Sequence, residues 1–456
     1  MQRVLLHAAV ADLLRHCFRP LCSLTENKDQ SRVSSGRPGL RFSLACSCLV
    51  DIKMNLPPSH SRQRPSNASP SPVTIPNDLI VELLSLLPVK SVMRMRCVSK
   101  FCNSLYTDPI FVKLHLHRSP QDPHLALITN SPSETARLVP FPVNNLLENS
   151  PITLTDDPSY VINNYFYPLE LIHQVIGSCN GLLCILSYSD INPFFWLSFW
   201  NPSTRAMSKQ LRFSFGLFID KFIDPTFFKF SFGYDNSTNS YKIVMLTFHS
   251  EKLKIVEARV FSLRDNVWRE IQNFPAVPFQ LIRFRPQVNE GVYLNGTLNW
   301  LAIFYFKVTC GEVIISLDLK TETYRQIQVP SGLEEIHYVY STIGVLMNCL
   351  SFSHHLHQTH FVIWRMMDFG VEESWTQFLK ISYESLNIDH YLRDHIFDLI
   401  PLYLSENGDS LILANSLEGQ AILYNIRDNT AERTRITNKI SWFSVKNYVK
   451  SLASIF

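Results

Sequence analysis

The stretch IPNDLIVELLSLLPVKSVMRMRCVSKFCNSLYTDPIFVKLHL, residues 75–116, contains no glycine and spaces its apolar residues as helices do. Leu79, Ile80, Leu83, Leu84 and Leu87 recur after Pro76, Asn77 and Asp78. A proline and capping-type residues at a helix start suit the N–H groups that have no intrahelical acceptor. Pro88 stops that helix. Val92, Met95, Val98, Cys102 and Leu105 mark a second apolar face, with Lys90, Arg94 and Lys100 outside it. Asp108 and Pro109 open a third helix carrying Ile110, Phe111 and Leu114. The expectation is a three-helix unit over residues 75–117. A unit so small buries little surface and is marginal alone, so a partner covering its apolar faces is expected.

Outward from this stretch the character of the chain changes on both sides. Residues 1–72 are rich in Ser, Arg and Pro, without sustained periodicity, and read as a disordered tail. They hold 10 Lys/Arg against 4 Asp/Glu, whereas the remainder holds 32 against 35. The folded part is therefore slightly acidic, which argues against a nucleic-acid reader. No apolar run approaches the roughly 18 residues of a membrane helix. With 46% hydrophobic and 18% charged residues the chain has ample material for a core. Its 10 cysteines are too sparse for a disulfide scaffold and lack paired zinc-type spacing. Free thiols in a reducing compartment, cytoplasm and/or nucleus, are expected.

Residues 118–124 form a polar, proline-bearing joint, and from Leu125 to about residue 450 the pattern is all strand. Runs such as GLLCILSY, YKIVMLTF and EVIISLDL are separated by turn clusters. Asn-Gly pairs, suited to two-residue turns with positive φ at both positions, stand at Asn180-Gly181, Asn295-Gly296 and Asn407-Gly408. They lie 115 and 112 residues apart. Half that step is about 55 residues, close to the repeat of roughly 50 in kelch-type propeller blades. A recurring aromatic (Trp268, Trp300, Tyr324, Trp375) fits a four-stranded blade. The fold class expected is α+β multidomain: a small helical unit, then an all-β propeller-like domain.

The helical stretch resembles an F-box. The parts of that family's pattern stand here as Ile75-Pro76, Asp78-Leu79, Leu83-Leu84, Leu87-Pro88-Val89-Lys90-Ser91, Arg94 and Arg96, Cys97-Val98-Ser99-Lys100, and Asp108-Pro109-Ile110-Phe111. Where the family carries an aromatic after this Cys-Val-x-Lys, the chain has Cys102, with Phe101 beside it as its replacement. The resemblance implies docking on a Skp-type adaptor, and through it on cullin and RING subunits. The positions it implies are Ile75, Pro76, Leu79, Ile80, Leu83, Leu84, Leu87, Pro88, Val89, Cys97, Val98 and Lys100. The β region is similar to the plant F-box-associated, kelch-like domain. The similarity rests on residues 177–184 (GSCNGLLC), 200–205 (WNPSTR), 230–235 (FSFGYD), 241–244 (YKIV) and 292–296 (VYLNG) with Trp300. It implies a domain that captures a target protein and implies no chemistry. Together they read as a substrate receptor of an SCF (Skp–cullin–F-box) ubiquitin ligase, with a scaffold outside any ligase or a propeller enzyme as alternatives.

Candidates for chemistry are few, and neither cofactor nor metal is expected. The histidines of HHLHQTH (His354, His355, His357, His360) have the density of a metal site, but they read better as an exposed hairpin tip between two apolar strands. Gly177-x3-Gly181 lacks the Gly-Lys-Ser/Thr ending and the following helix of a phosphate loop. Cys179 or Cys184 with His173 makes a conceivable thiol–imidazole pair, yet cysteines in an apolar strand are usually core.

Overall fold

The structure, a computed structural model, describes residues 76–119, 123–129, 136–149, 160–162, 165–166, 169–170, 172–189, 194–214, 228–248, 256–278, 291–305, 310–331, 341–388, 397–415, 420–435 and 440–454. The expected tail over 1–72 and Ile75 lie outside these residues. The chain divides into two compact units at Ser119/Pro120.

Among the described residues the first unit holds four helices where the spacing over 75–117 predicts three: α1 (Asn77–Ser85), α2 (Val89–Met95), α3 (Lys100–Leu105) and α4 (Pro109–Arg118). The expected second helix is split at Ser99. Its backbone is extended (φ −154°, ψ 160°) and its side chain accepts from the Cys102 N–H, so it caps a new helix rather than continuing the old one. Asp108 caps α4 by accepting from the Ile110 N–H at 2.8 Å, with Pro109 in the first turn. Leu84, Val89, Val92, Cys102, Leu105, Phe111 and His115 form the interior.

The second unit is a six-bladed β-propeller. Blade 2 runs Ile172–Cys179, Leu182–Tyr188, Phe194–Asn201, Leu211–Ser214 from the centre outward, and blade 3 runs Phe228–Asp235, Ser240–Phe248, Val256–Ser262, Val267–Glu270. In blade 4 two short inner strands, Val277–Pro278 and Val292–Leu294, both pair with Thr297–Tyr305, followed by Cys310–Asp318 and Thr323–Gln328. Blade 5 runs Thr342–Leu346, Cys349–Leu356, His360–Met366, Trp375–Ser382, and blade 6 runs Leu399–Leu404, Ser410–Asn415, Ile422–Asn425, Thr430–Arg433. Blade 1 joins both ends of the unit. Its inner strand is Lys446–Val449, antiparallel to Pro123–Thr129, with Ala136–Pro142 and Tyr160–Ile162 outside.

The Asn-Gly turns mark alternate blades, so the halved step is the blade repeat. Asn180-Gly181 (φ 50° and 78°) and Asn295-Gly296 (φ 48° and 83°) are two-residue turns with both residues left-handed. Asn407 is not: only Gly408 has positive φ (75°), and the Asn407 carboxamide oxygen accepts from Ser405 Oγ and the Asp409 N–H. Blade 5 makes the two-residue turn without glycine, at Met347-Asn348 (φ 49° and 59°). Trp268, Tyr324 and Trp375 all sit at the start of outermost strands, whereas Trp300 belongs to the second strand of blade 4 and is fully buried.

Two polar staples hold this ring. In the first, Asn201 Nδ2 donates to the carbonyls of Ser451 (3.1 Å) and Ala453 (2.8 Å), 250 residues on or more. Tyr448 and Ser203 share a 2.5 Å hydroxyl bond beside it, and Ser451 Oγ donates to the Asn180 carbonyl at 2.6 Å. A Cβ on Gly181 would lie 2.2 Å from Ser451 Oγ, so glycine is needed there for both space and φ. In the second, the buried Lys242 ammonium of blade 3 lies 3.1 Å from Asp235 and 3.0 Å from Glu322 of blade 4, and donates to the Leu319 carbonyl. Burial pushes the Asp235 carboxyl up, but hydrogen bonds from Ser237, Thr238 and Lys242 outweigh it and hold the group well below the usual range. Asn201→Ala leaves two buried carbonyls unpaired and is expected to cost about 2–4 kcal/mol, read as a lower urea midpoint of the full chain.

Candidate functional site

The helical unit presents a surface of uneven character. Leu79 in α1 is 50% exposed and Ile110 in α4 is 79% exposed, both large apolar side chains facing solvent. Pro76, Pro88, Cys97 and Lys100 are also exposed, while Ile80, Leu83, Leu87 and Val98 are half-buried. Leu84 (4%) and Val89 (3%), two of the expected contact positions, are buried in the core of the unit. Cys102 is buried while Phe101 stays half-buried. Phe101 therefore does not take over the place that Cys102 occupies.

His115 is the residue of this unit that the sequence does not single out. It is fully buried, and its Nε2 donates to the Leu87 carbonyl at 2.8 Å, tying α4 to the turn between α1 and α2. The Leu87 carbonyl lies in the turn past the end of α1, where the Ser91 N–H that a continuing helix would offer it goes instead to the Pro88 carbonyl at 2.8 Å, so the imidazole supplies its partner. Phe111 packs against the ring at 6.0 Å, and Nδ1 has no hydrogen-bond partner among the described residues. At the surface Arg118 pairs with Glu82, linking the same two helices. Burial lowers the His115 pKa from its ordinary 6.5, against the raising effect of the Leu87 bond.

The propeller offers a second candidate, its axial channel. The six inner strands enclose a cavity of about 620 Å3, whose wall includes Ser178, Tyr293, Asn348, Tyr403, Lys446 and Asn447. That volume is within the usual range for ligand sites. The wall carries amide, hydroxyl and apolar groups, with Glu406, Lys446 and His124 as charged or titratable additions. Such a lining suits binding by hydrogen bonds and contact.

The remaining candidates for chemistry are resolved by their places in the blades. His354 and His355 lie inside the second strand of blade 5, not in the hairpin tip, and His354 is 2% exposed. Trp364 Nε1 donates to His354 Nε2 at 3.3 Å, and His355 Nδ1 is 2.5 Å from the Tyr383 hydroxyl. Only His357 belongs to the turn; His360 starts the next strand. The strand alternation sends His354 inward and separates the imidazoles, and no group of three or more His, Cys, Asp or Glu among the described residues is placed to hold a metal. Cys179 and Cys184 are buried core thiols whose pKa values burial raises, and His173 Nδ1 meets Ser187 Oγ at 2.7 Å. Gly177 follows a bulge in the inner strand of blade 2, where a Cβ would press on Phe232.

Comparison with known proteins agrees with this architecture. The family model described as the F-box domain matches residues 74–113, and the one described as the F-box associated beta propeller domain matches residues 137–455. The chain therefore belongs to the F-box proteins that carry an F-box-associated β-propeller. Its relatives include an F-box/kelch-repeat protein of Arabidopsis thaliana, 26% identical over 84% of this chain and 96% of that one. The F-box protein CPR1 of the same plant is 25% identical over 83% of this chain and 88% of its own length. No helix of the described residues is long and apolar enough to cross a membrane.

A histidine with a depressed pKa in the fold is held neutral there, so between that pKa and about 6.5 the unfolded chain binds more protons. The contribution of His115 is complete above about pH 6.5 and is lost as pH falls below it. Chemical unfolding of the helical unit, followed from about pH 7.5 to 5, is expected to show this loss, and His115→Gln to lack that component.

Proposed function

We propose that the protein is the substrate-recognition subunit of an SCF-type ubiquitin ligase. The F-box docks on a Skp-type adaptor and through it reaches the cullin and RING subunits. The propeller binds the target protein. The observation that carries this reading is the pairing, in one chain, of a small helical unit exposing Leu79 and Ile110 with a complete propeller. Four helices of six to ten residues are too short to persist by propensity alone. Their core is a handful of side chains, and a partner that covers the exposed leucine and isoleucine adds the missing burial.

On this reading the chain is not an enzyme. Ubiquitin transfer belongs to the associated subunits, and this chain raises the effective concentration of target lysines near the charged conjugating enzyme. Pro76, Leu79, Ile80, Leu83, Leu87, Pro88, Cys97, Val98 and Lys100 remain the proposed docking positions, with Leu84 and Val89 supporting them from inside. The channel wall and the blade ends are the proposed target surface.

Full-length protein is expected to co-purify with a recombinant Skp-type adaptor. Leu79→Asp puts a charge where an apolar contact is required and is expected to weaken capture at least about a hundredfold. Because Leu79 is half exposed, the variant should stay folded, which circular dichroism checks. Undiminished capture would remove the docking reading.

A further inference from the structure

The charges of the helical unit are segregated. Residues 89–107, spanning α2 and α3, carry Lys90, Arg94, Arg96 and Lys100 and no aspartate or glutamate. The unit's acids are engaged elsewhere: Asp78 lies in the first turn of α1, Glu82 pairs with Arg118, and Asp108 caps α4. Lys90, Arg94 and Lys100 are exposed. Arg96 is held in place, its guanidinium 4.1 Å over the Tyr106 ring and its Nε donating to Asn103 Oδ1 at 3.3 Å.

Lys90 and Arg94 stand four apart in a helix of only seven residues. Like charges at that spacing repel and weaken the helix. A fold under no other demand gains by an acidic residue among them. The basic edge also borders the half-buried apolar side chains Met93, Met95 and Val98. An apolar strip rimmed by charge of one sign fits a protein partner better than a polynucleotide, which would ask for stacking aromatics between the cations.

We infer that the α2–α3 edge, Lys90, Arg94, Arg96 and Lys100, receives an acidic segment of the Skp-type adaptor and steers its approach to the apolar docking face. The inference rests on the docking reading above and adds the partner's chemistry: carboxylates beside its apolar groove. Exposed charges act mainly on encounter and little on dissociation. The edge should therefore set how fast the complex forms and how strongly that rate depends on salt.

The test is association of the full chain with a recombinant plant Skp-type adaptor, measured by stopped flow from about 50 to 300 mM NaCl. The double variant Lys90→Gln, Arg94→Gln, which leaves every proposed docking position untouched, is expected to associate about fivefold more slowly at the low-salt end. Its rate should respond less to salt, and its dissociation rate should stay within about twofold. The charge-preserving double variant Lys90→Arg, Arg94→Lys should behave as the unaltered chain. Equal association rates and equal salt slopes for the unaltered chain and the glutamine variant would overturn the inference while leaving docking intact. Failure of the unaltered chain to bind at all would strike the docking reading itself. Tighter binding of random-sequence duplex DNA than of the adaptor at about 150 mM salt would also overturn it, giving the edge to nucleic acid.

Discussion

Antiparallel pairing of Lys446–Val449 with the first strand of the propeller is the contact on which the β unit depends. Six blades arranged around an axis bury their faces only against neighbours, and the ring of inner strands continues from blade to blade. An open ring would expose the faces of blades 1 and 6, including Leu125, Leu127, Ile412 and Ala414, which share one core with Trp442 and Val445. Closure is reinforced by polar groups that reach backbone atoms. Asn201 and Ser451 satisfy carbonyls that no strand partner serves, so the closing segment is held by directed bonds as well as by burial.

The buried Lys242 performs the same service between blades 3 and 4. A charge this deep is tolerated because two carboxylates and a carbonyl converge on it from two blades. The FGYD and YKIV segments thus look like strand and turn residues along the chain but work as a joint between sheets. In the helical unit His115 has a comparable place. One imidazole nitrogen serves the carbonyl stranded at the turn between two helices, and the ring fills core volume beside Phe111.

Much of this was legible in residue order, and what was not has a common cause. Turn chemistry is local, so Asn180-Gly181 and Asn295-Gly296 announced their left-handed turns, and their separation announced two blades per step. Met347-Asn348 takes the same conformation without glycine because the flanking pairing of Leu346 with Cys349 imposes it. The F-box positions were readable as a set, but their division into core and surface was not, since Leu83 and Leu84 differ only in which way one helix turns toward its neighbours. The break at Ser99 was missed because the apolar spacing runs through it, and only the hydroxyl's competition for the Cys102 N–H reveals the new start. His354 looked like turn composition, yet alternation along its strand carries it inward to Trp364. Asn201 was visible only as a member of the WNPSTR motif, and its role as a staple was not, since its partners lie at the far end of the chain.

A sheet shared by residues 123–129 and 446–449 also orders events during synthesis. The helical unit is encoded first and can assemble while translation continues. Blade 1 cannot exist until residue 449 has left the ribosome, so the propeller closes only after blades 2 to 6 have waited with an unsealed flank. For that interval the nascent chain offers bare strand edges to chaperones, and a premature stop late in the message would leave every blade but the first intact and the ring unable to shut.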